Sequence, residues 1–175
     1  MARQTKEEFR RKRKPSIFIV CEGRNKTEKT YFNHFNERNA SFNLRVFDSE
    51  STDITSMAKK ATSLFINYQL DLDIGDKVYC LVDLDLEPSK HEKFLKAKET
   101  YKKIEIIPSN PCFEIWYLLH SKKVSRRLET DECLKFLKNS SQIWANYDKG
   151  KLTDSQNADF SDDHPGISAI TTHLS

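Results

Sequence analysis

Apolar positions along the chain follow two patterns, and together they predict alternating strands and helices. Two uninterrupted apolar runs, at residues 16–21 and 77–82, are rich in β-branched and aromatic side chains and predict strands buried on both faces. Shorter runs at residues 44–47 and 104–107 predict two further strands. Between the strands, apolar residues recur at helical spacing and predict helices over residues 52–70 and 89–98, and a first helix that starts at Asn25 and runs to about Arg38.

The segment after the fourth predicted strand reads as the start of another helix. Asn110 is a good helix cap, and Pro111 fits the first helical position, so the pattern predicts a helix that begins at Pro111 and reaches His120. Further helices are predicted over residues 131–138 and after Pro165, with a polar stretch over residues 148–163.

Buried strands that alternate with helices are typical of an α/β fold. We therefore predict a mainly parallel sheet of about four strands, with helices on both faces, over residues 15–120. Residues 121–175 are predicted to form a mainly helical extension of the same domain, and residues 1–14 a flexible basic tail. A chain of 175 residues is long enough for one such domain but too short for two full ones.

Composition narrows the class of protein. Hydrophobic residues make up 37% of the chain and charged residues 31%, and the 11 Phe, 6 Tyr and 2 Trp exclude a disordered chain. There is no apolar run of the length that a membrane span or a signal peptide needs, so we expect a cytoplasmic protein without membrane contact. The four cysteines form no C-x-x-C pair, which predicts buried, reduced thiols rather than a zinc site.

The positive charge of the chain belongs to its first residues. Residues 1–14 contain seven basic and two acidic side chains, for a charge of +5, so the other 161 residues sum to −2. This tail is either a solvated arm or an arm that follows the phosphate backbone of a nucleic acid. Its candidate phosphate ligands are Arg10, Arg11, Lys12, Arg13 and Lys14.

Acidic residues follow two of the apolar strands. Glu22 comes directly after the first strand, and Asp83 and Asp85 come after the third. The carboxyl ends of parallel strands share one edge of a sheet, where converging carboxylates repel one another unless a hard cation binds between them. In an extended segment the i, i+2 spacing of the two aspartates directs both side chains to one side. The pattern predicts a Mg²⁺ site, with Mn²⁺ as the alternative metal, although an isolated D-x-D also occurs in ordinary surface loops.

Five other residues are candidates for the same site, each with a simpler structural interpretation. Glu114 either interacts with the dipole of its own helix or binds metal or substrate. His120 is either catalytic or one member of an apolar cluster, and Lys26 either meets a phosphate at a helix N-terminus or is solvated. Glu87 is either a further ligand or part of a turn before Pro88, and the remaining candidate is Glu28.

Three motifs in this order resemble the RloB-like family. They are I-F-I-V-C-E-G with K-T-E and Y-F at residues 17–32, V-D-L-D at 82–85, and S-N-P-C-F-E-I-W-Y-L-L-H at 109–120. In the first motif, Arg24 and Asn25 separate C-E-G from K-T-E, and this spacing is one residue longer than is usual in the family.

The family resemblance implies a fold and an activity. The family is similar to Toprim proteins, which include topoisomerases, primases and OLD-type nucleases and which hold Mg²⁺ at a phosphodiester. The resemblance makes Glu22 the glutamate of that site, and Asp83 and Asp85 its aspartate pair. It implies a Mg²⁺-dependent nuclease of DNA or RNA that serves in restriction-modification or phage defence, as an effector beside an ATPase subunit. The alternative is a non-catalytic nucleic-acid or nucleotide-binding sensor subunit of a defence complex.

Overall fold

The computed structural model describes residues 13–23, 27–35, 41–121, 123–153 and 155–156. The strands are β1 (Ser16–Glu22), β2 (Asn43–Ser49), β3 (Lys77–Asp83) and β4 (Glu105–Ser109). Within these residues the helices are α1 (Thr27–His34), α2 (Ile54–Asn67), α3 (Pro88–Thr100), α4 (Glu114–Ser121) and α5 (Thr130–Lys138). None of the described helices is long and apolar enough to cross a membrane.

The four strands form one parallel sheet in the order β2-β1-β3-β4. In the centre of the sheet, Ile17 of β1 is paired with Leu44 of β2 on one side and with Lys77 of β3 on the other. The chain thus leaves β1 in one direction to form β2, and then crosses to the opposite side of β1 to form β3. This reversal of strand order places the carboxyl ends of β1 and β3 at the switch point of the sheet.

Helices cover both faces of the sheet, as the uninterrupted apolar strands predict. Phe18 and Val20 of β1 belong to a buried cluster with α2 and α3, while Ile17 and Ile19 belong to a second cluster with α1 and α4. These positions agree with right-handed crossovers, because α1 connects strands in one direction and α2 and α3 connect them in the other. The predicted α/β class is confirmed.

The C-terminal segment packs on the same core. Leu137 of α5, Trp144 and Tyr147 are all buried in the cluster that contains α1 and α4. The Trp144 ring stacks on Tyr117 of α4 with 5.1 Å between the ring centroids. The predicted helix at residues 131–138 is confirmed, and the one after Pro165 lies outside the described residues. All four cysteines are buried and free, as expected.

Several helix boundaries differ from the prediction, among them α2, which covers Ile54–Asn67 rather than residues 52–70. Helix α1 ends at His34 rather than near residue 38, and helix α4 begins at Glu114 rather than at Pro111. The difference in α4 has a tertiary cause: the Leu84 N–H donates to the Ser109 carbonyl at 2.9 Å, and the Asp85 N–H donates to the Pro111 carbonyl at 3.2 Å. Residues 109–111 therefore pair with the loop after β3 and cannot begin the helix.

The amino edge of the sheet is held by Asp76, whose side chain is fully buried. Its carboxylate accepts two hydrogen bonds from the Arg13 guanidinium, at 2.9 and 2.5 Å, and one each from the N–H groups of Ser16 and Asp71. Burial opposes the ionisation of Asp76, but these hydrogen bonds outweigh it and lower its pKa below the usual range. Arg13, one of the candidate phosphate ligands of the tail, anchors β1 through Asp76 in this structure.

We predict that Asp76→Ala lowers the free energy of unfolding by about 2–3 kcal/mol at neutral pH, because two buried N–H groups and the Arg13 guanidinium lose their acceptor. Chemical denaturation measures the loss. Because the pKa of Asp76 is lowered, its contribution is present above the pKa of the unfolded aspartate and disappears as the pH falls through the folded value. The difference between variant and wild type should therefore shrink in acid. The exposed Asp73→Ala should change stability by no more than about 0.5 kcal/mol.

Candidate metal site at the carboxyl edge of the sheet

Glu22 and Asp83 are the last residues of two neighbouring strands, β1 and β3. The order of the strands reverses between them, and in open α/β sheets such a switch point opens a crevice in which ligands bind. The strands are buried along their whole length, so the first polar side chains that the crevice meets are these carboxylates. The sequence-based placement of Glu22 and Asp83 at one edge agrees with this topology.

Gly23 fixes the position of Glu22 at this edge. The Gly23 N–H donates to the Ser49 carbonyl at 3.0 Å, which joins the end of β1 to the end of β2. A Cβ atom on residue 23 would collide with the same Ser49 carbonyl oxygen, so only glycine allows this approach of the two backbones. Glu22 therefore places a carboxylate at the end of β1, and Gly23 allows the chain to turn away from the sheet directly after it.

The loop after β3 is a tight turn rather than an extended segment. Asp85 and Leu86 have positive φ angles of 48° and 59°, and the Glu87 N–H donates to the Leu84 carbonyl at 2.8 Å. The prediction that an extended D-x-D directs both aspartates to one side is wrong, because the strand ends at Asp83 and the backbone then turns. Asp85 is exposed and forms an ion pair with Lys90 of α3.

Two further carboxylates approach the edge from the first turns of α1 and α4. Glu28 is 4% exposed, and its Oε2 atom has no hydrogen-bond partner among the described residues. Glu114 is 2% exposed, and its Oε1 atom accepts from the Tyr147 hydroxyl at 3.1 Å and lies 3.3 Å from the Lys149 ammonium. The sequence analysis had left the role of Glu114 open, and its contacts here are with the C-terminal segment.

The pKa values of Asp83 and Glu28 are raised in this environment. Burial raises the pKa of Asp83 to about 7, and repulsion from Glu22, Asp85 and Glu114 adds to the effect. Burial likewise raises the pKa of Glu28 to about 8, with further repulsion from Asp83, Glu22 and Glu114. Burial and nearby carboxylates thus oppose the ionisation of Asp83 and Glu28, so these two of the five carboxylates favour a bound proton or a bound cation.

The site has two sides because strand residues alternate between the two faces of a sheet. Glu22 follows Val20 by two residues on the face covered by α2 and α3, and Asp83 follows Leu81 on the face covered by α1 and α4. The Asp85–Lys90 pair belongs to the first side. Glu28, Glu114 and Lys149 belong to the second side, together with Asp83.

The donor atoms suit a hard divalent cation. They are carboxylate oxygens, which Mg²⁺ prefers, and the buried Oε2 of Glu28 still needs a partner. In the described part of the chain, no group of three or more His, Cys, Asp or Glu side chains is arranged to hold a metal ion. Mg²⁺ is commonly bound by one or two carboxylates and several waters, so the residues fit it without a ready-made cage.

The other predicted site residues lie elsewhere or outside the described residues. The His120 side chain is buried near the far end of α4 from Glu114, and its Nε2 atom is 2.8 Å from the Tyr31 hydroxyl. Glu87 is exposed at the residue before α3 and makes no side-chain capping bond. Lys26, Arg10, Arg11 and Lys12 are outside the described residues.

Sequence reasoning missed Tyr147 and Lys149, which fall at the edge of the stretch read as a polar connection. The available signal was the i, i+3 spacing of Trp144 and Tyr147, which predicts a buried turn. Their position is also fixed by Thr27, whose hydroxyl accepts from the Gly150 N–H at 3.0 Å. A contact between residues 123 positions apart leaves no local trace in the sequence.

A cavity of about 670 Å³ lies away from the acidic residues, at the opposite edge of the sheet. Arg13, Arg45 and Tyr68 contribute to its lining, and the Arg45 guanidinium lies over the Tyr68 ring, 5.7 Å from the centroid. None of the five carboxylates lines this cavity, so the cavity and the acidic residues lie at different edges of the sheet.

Comparison with known proteins identifies the family. The family model described as RloB-like protein matches residues 17–171, a range that contains all of the sheet except Ser16, the first residue of β1, and all five carboxylates. The chain belongs to the RloB-like family. Neither the search of curated proteins nor the search of solved structures finds a match.

We predict that the metal-free protein loses stability as the pH rises from about 4 to about 8. The pKa values of Asp83 and Glu28 are raised to about 7 and about 8, so the folded state binds more protons than the unfolded state across this window. Each unit of pKa difference corresponds to about 1.4 kcal/mol as an upper limit.

The matched variant is Glu28→Gln, which has no charge to bury at any pH. Denaturation in EDTA should show Glu28→Gln gaining stability over wild type above pH 8 and losing that advantage near pH 5. Parallel pH profiles for the two proteins would contradict the raised pKa of Glu28. Glu99→Gln, at an exposed position near the end of α3, is the control and should follow wild type.

Proposed function

We propose that the protein is a Mg²⁺-dependent nuclease that hydrolyses phosphodiester bonds of DNA or RNA. The observation that carries this proposal is the group of buried and half-buried carboxylates near the switch point of a parallel sheet, with raised pKa values for Asp83 and Glu28. Such an arrangement is unfavourable for stability, and perturbed carboxylates in a crevice are characteristic of functional sites. Membership of the RloB-like family is compatible with this activity.

The proposed roles follow from the positions of the side chains. Glu22 and Asp83 hold the cation at the ends of β1 and β3, with Asp85 beside them on the loop. When bound, Mg²⁺ supplies positive charge to the phosphate and acidifies a water. Glu22 lies at the edge of the crevice, partly exposed, where it can take the proton of an attacking water.

The reaction consumes one water per cleaved bond. The water oxygen forms a bond to phosphorus, and the bond from phosphorus to the leaving sugar oxygen breaks. The proton taken by Glu22 returns to solvent, and the leaving oxygen acquires a proton to become a hydroxyl. The products are one strand end with a phosphate monoester and one with a free hydroxyl.

The wider role is also a proposal, and it rests on the family resemblance. We propose that the fold is a variant of Toprim, supported by the order of a glutamate after β1 and a D-x-D after β3. We further propose that the protein acts in the cytoplasm, in phage defence, as the effector of an ATPase subunit. Co-expression with the ATPase of its own locus tests the last point: the two chains should co-elute, and cleavage should respond to ATP.

A second candidate function is a non-catalytic subunit that binds nucleic acid or nucleotide. The observation in its favour is that Lys90 and Lys149 each pair with one of the carboxylates, so lysine side chains supply part of the neutralising charge. In this alternative the metal is dispensable, and the site serves only recognition.

We predict that Asp83→Asn separates stability from activity. The substitution removes one of the repelling charges at nearly constant volume, so the metal-free variant should melt slightly above wild type while cleavage is abolished. Mg²⁺ at ten times its Kd should stabilise wild type by about 1.4 kcal/mol, and should stabilise the variant much less.

The measurements are thermal shifts in EDTA, Mg²⁺ and Mn²⁺, together with cleavage of labelled single- and double-stranded DNA and RNA. Glu99→Gln removes an exposed carboxylate at the opposite end of α3 and should behave as wild type in both assays. An identical metal response from wild type and Asp83→Asn would exclude a cation site here. A metal response without cleavage of any substrate would favour the non-catalytic alternative.

We also predict that the basic tail contributes affinity without sequence preference. Residues 1–12 retain five basic side chains after Arg13 is assigned to Asp76, so up to about five phosphate contacts give a salt slope near −4.5 on duplex DNA. Deleting residues 1–12 leaves the Arg13–Asp76 pair intact and should flatten the slope of log K against log salt. An unchanged slope would assign the tail to another role.

A further inference from the structure

We propose that Lys149 is the phosphate-binding residue of the site, contributed by the C-terminal segment rather than by the α/β core. In this proposal its ammonium contacts a nonbridging oxygen of the substrate phosphate. The inference rests on the proposed function, because it assumes that a phosphodiester enters the acidic crevice. Lys149 belongs to none of the three sequence motifs and is not one of the proposed metal ligands.

The segment that carries Lys149 is held firmly on the core. Trp144 is fully buried against Tyr117, and Tyr147 is 4% exposed. On the other side of Lys149, the Gly150 N–H donates to the Thr27 hydroxyl at the start of α1. Anchors on both sides place the Lys149 backbone beside the first turns of α1 and α4, so its side chain reaches the crevice without a large rearrangement.

The Lys149 side chain connects the buried carboxylates with solvent. Its ammonium lies 3.3 Å from Glu114, whose side chain is 2% exposed, yet the lysine side chain itself is 42% exposed. Its charge also favours the ionised form of Asp83 and so lowers the pKa of that carboxyl group. Neutralising a buried acid does not require an exposed lysine side chain. The exposed part of Lys149 is accessible to an incoming ligand.

A phosphate that enters this crevice needs positive charge from more than one source. The five carboxylates present up to five negative charges, and a phosphodiester adds another, so repulsion opposes binding even with one divalent cation. Lys90 supplies charge on the other side of the site, but its partner Asp85 is exposed and lies outside the buried group. Lys149 pairs with Glu114, whose side chain is 2% exposed, so its charge lies beside a buried carboxylate.

The proposed sequence of events involves no covalent change. Without substrate, the Lys149 ammonium pairs with Glu114 and competes with the metal for that carboxylate. With substrate in place, the ammonium would contact the phosphate oxygen, and the Glu114 carboxylate would be available to help hold Mg²⁺. Lys149 keeps its proton throughout and stabilises charge that develops on the phosphate.

The test compares Lys149→Met and Lys149→Arg with Lys151→Met. Lys151 lies two residues away, pairs with the exposed Asp148 and has an 81% exposed side chain, so its variant is a matched control. Lys149→Met should bind Mg²⁺ about two- to fivefold more tightly, because a competing cation is removed. Its kcat should fall by a factor of at least about 100, because the transition state loses a positive contact.

Lys149→Arg keeps the charge and should recover part of the cleavage, while Lys151→Met should match wild type in metal binding and cleavage. If Lys149→Met only lowers the melting temperature, with unchanged Mg²⁺ affinity and kcat, the residue is structural and the proposal is overturned. Wild-type behaviour of Lys149→Met in all three measurements overturns it equally.

A direct binding measurement separates this inference from the proposed nuclease activity. Fluorescence anisotropy with a short single-stranded DNA, and with RNA of the same sequence, is measured in Ca²⁺. Lys149→Met should bind at least about tenfold more weakly than Lys151→Met, a difference that holds even if wild type cleaves neither strand. Absence of cleavage would then count against the nuclease alone, whereas equal binding by the two variants would overturn the role of Lys149.

Discussion

The burial of carboxylates at the carboxyl edge of the sheet is the constraint on which the rest of this structure depends. Burial in the crevice raises the pKa of Asp83 to about 7 and of Glu28 to about 8, so the fold holds these groups where their charged forms are least favourable. The energy that maintains the arrangement comes from the apolar clusters on the two faces of the sheet, which fix β1 and β3 independently of their last residues.

The surroundings of the site reduce the repulsion between the carboxylates from several directions. Lys90 of α3 pairs with Asp85, and Lys149 of the C-terminal segment pairs with Glu114, so each side of the sheet contributes one ammonium group. Tyr147 adds a hydroxyl donor to the same Glu114 oxygen. Neither lysine pairs with Glu28, and its buried Oε2 atom lacks a hydrogen-bond partner among the described side chains. A bound cation would compensate for the burial of this oxygen.

Much of the fold was predictable because it depends on the pattern of apolar residues within short segments of the chain. A strand that helices cover on both faces is apolar at every position, so its sequence does not alternate between apolar and polar residues. The uninterrupted apolar runs of β1 and β3 therefore indicated a parallel sheet before any contact was known. The predicted strand ends also placed Glu22 and Asp83 correctly at one edge. Helix boundaries were less predictable, since α4 begins at Glu114 only because residues 109–111 pair with the loop after β3.

The sequence by itself thus determined the class of fold, the strand ends and the presence of acidic residues at them, because apolar periodicity and chain order are properties of neighbouring residues. The tertiary structure decided the rest. It held the turn at Asp85 by hydrogen bonds from Leu84 and Asp85 to the end of β4 and the residues after it. It also paired Arg13 with the buried Asp76 and brought Lys149 to Glu114 from outside the core motifs. These outcomes depend on pairings between distant segments, whose energies come from burial and hydrogen bonding that exist only after the chain has folded.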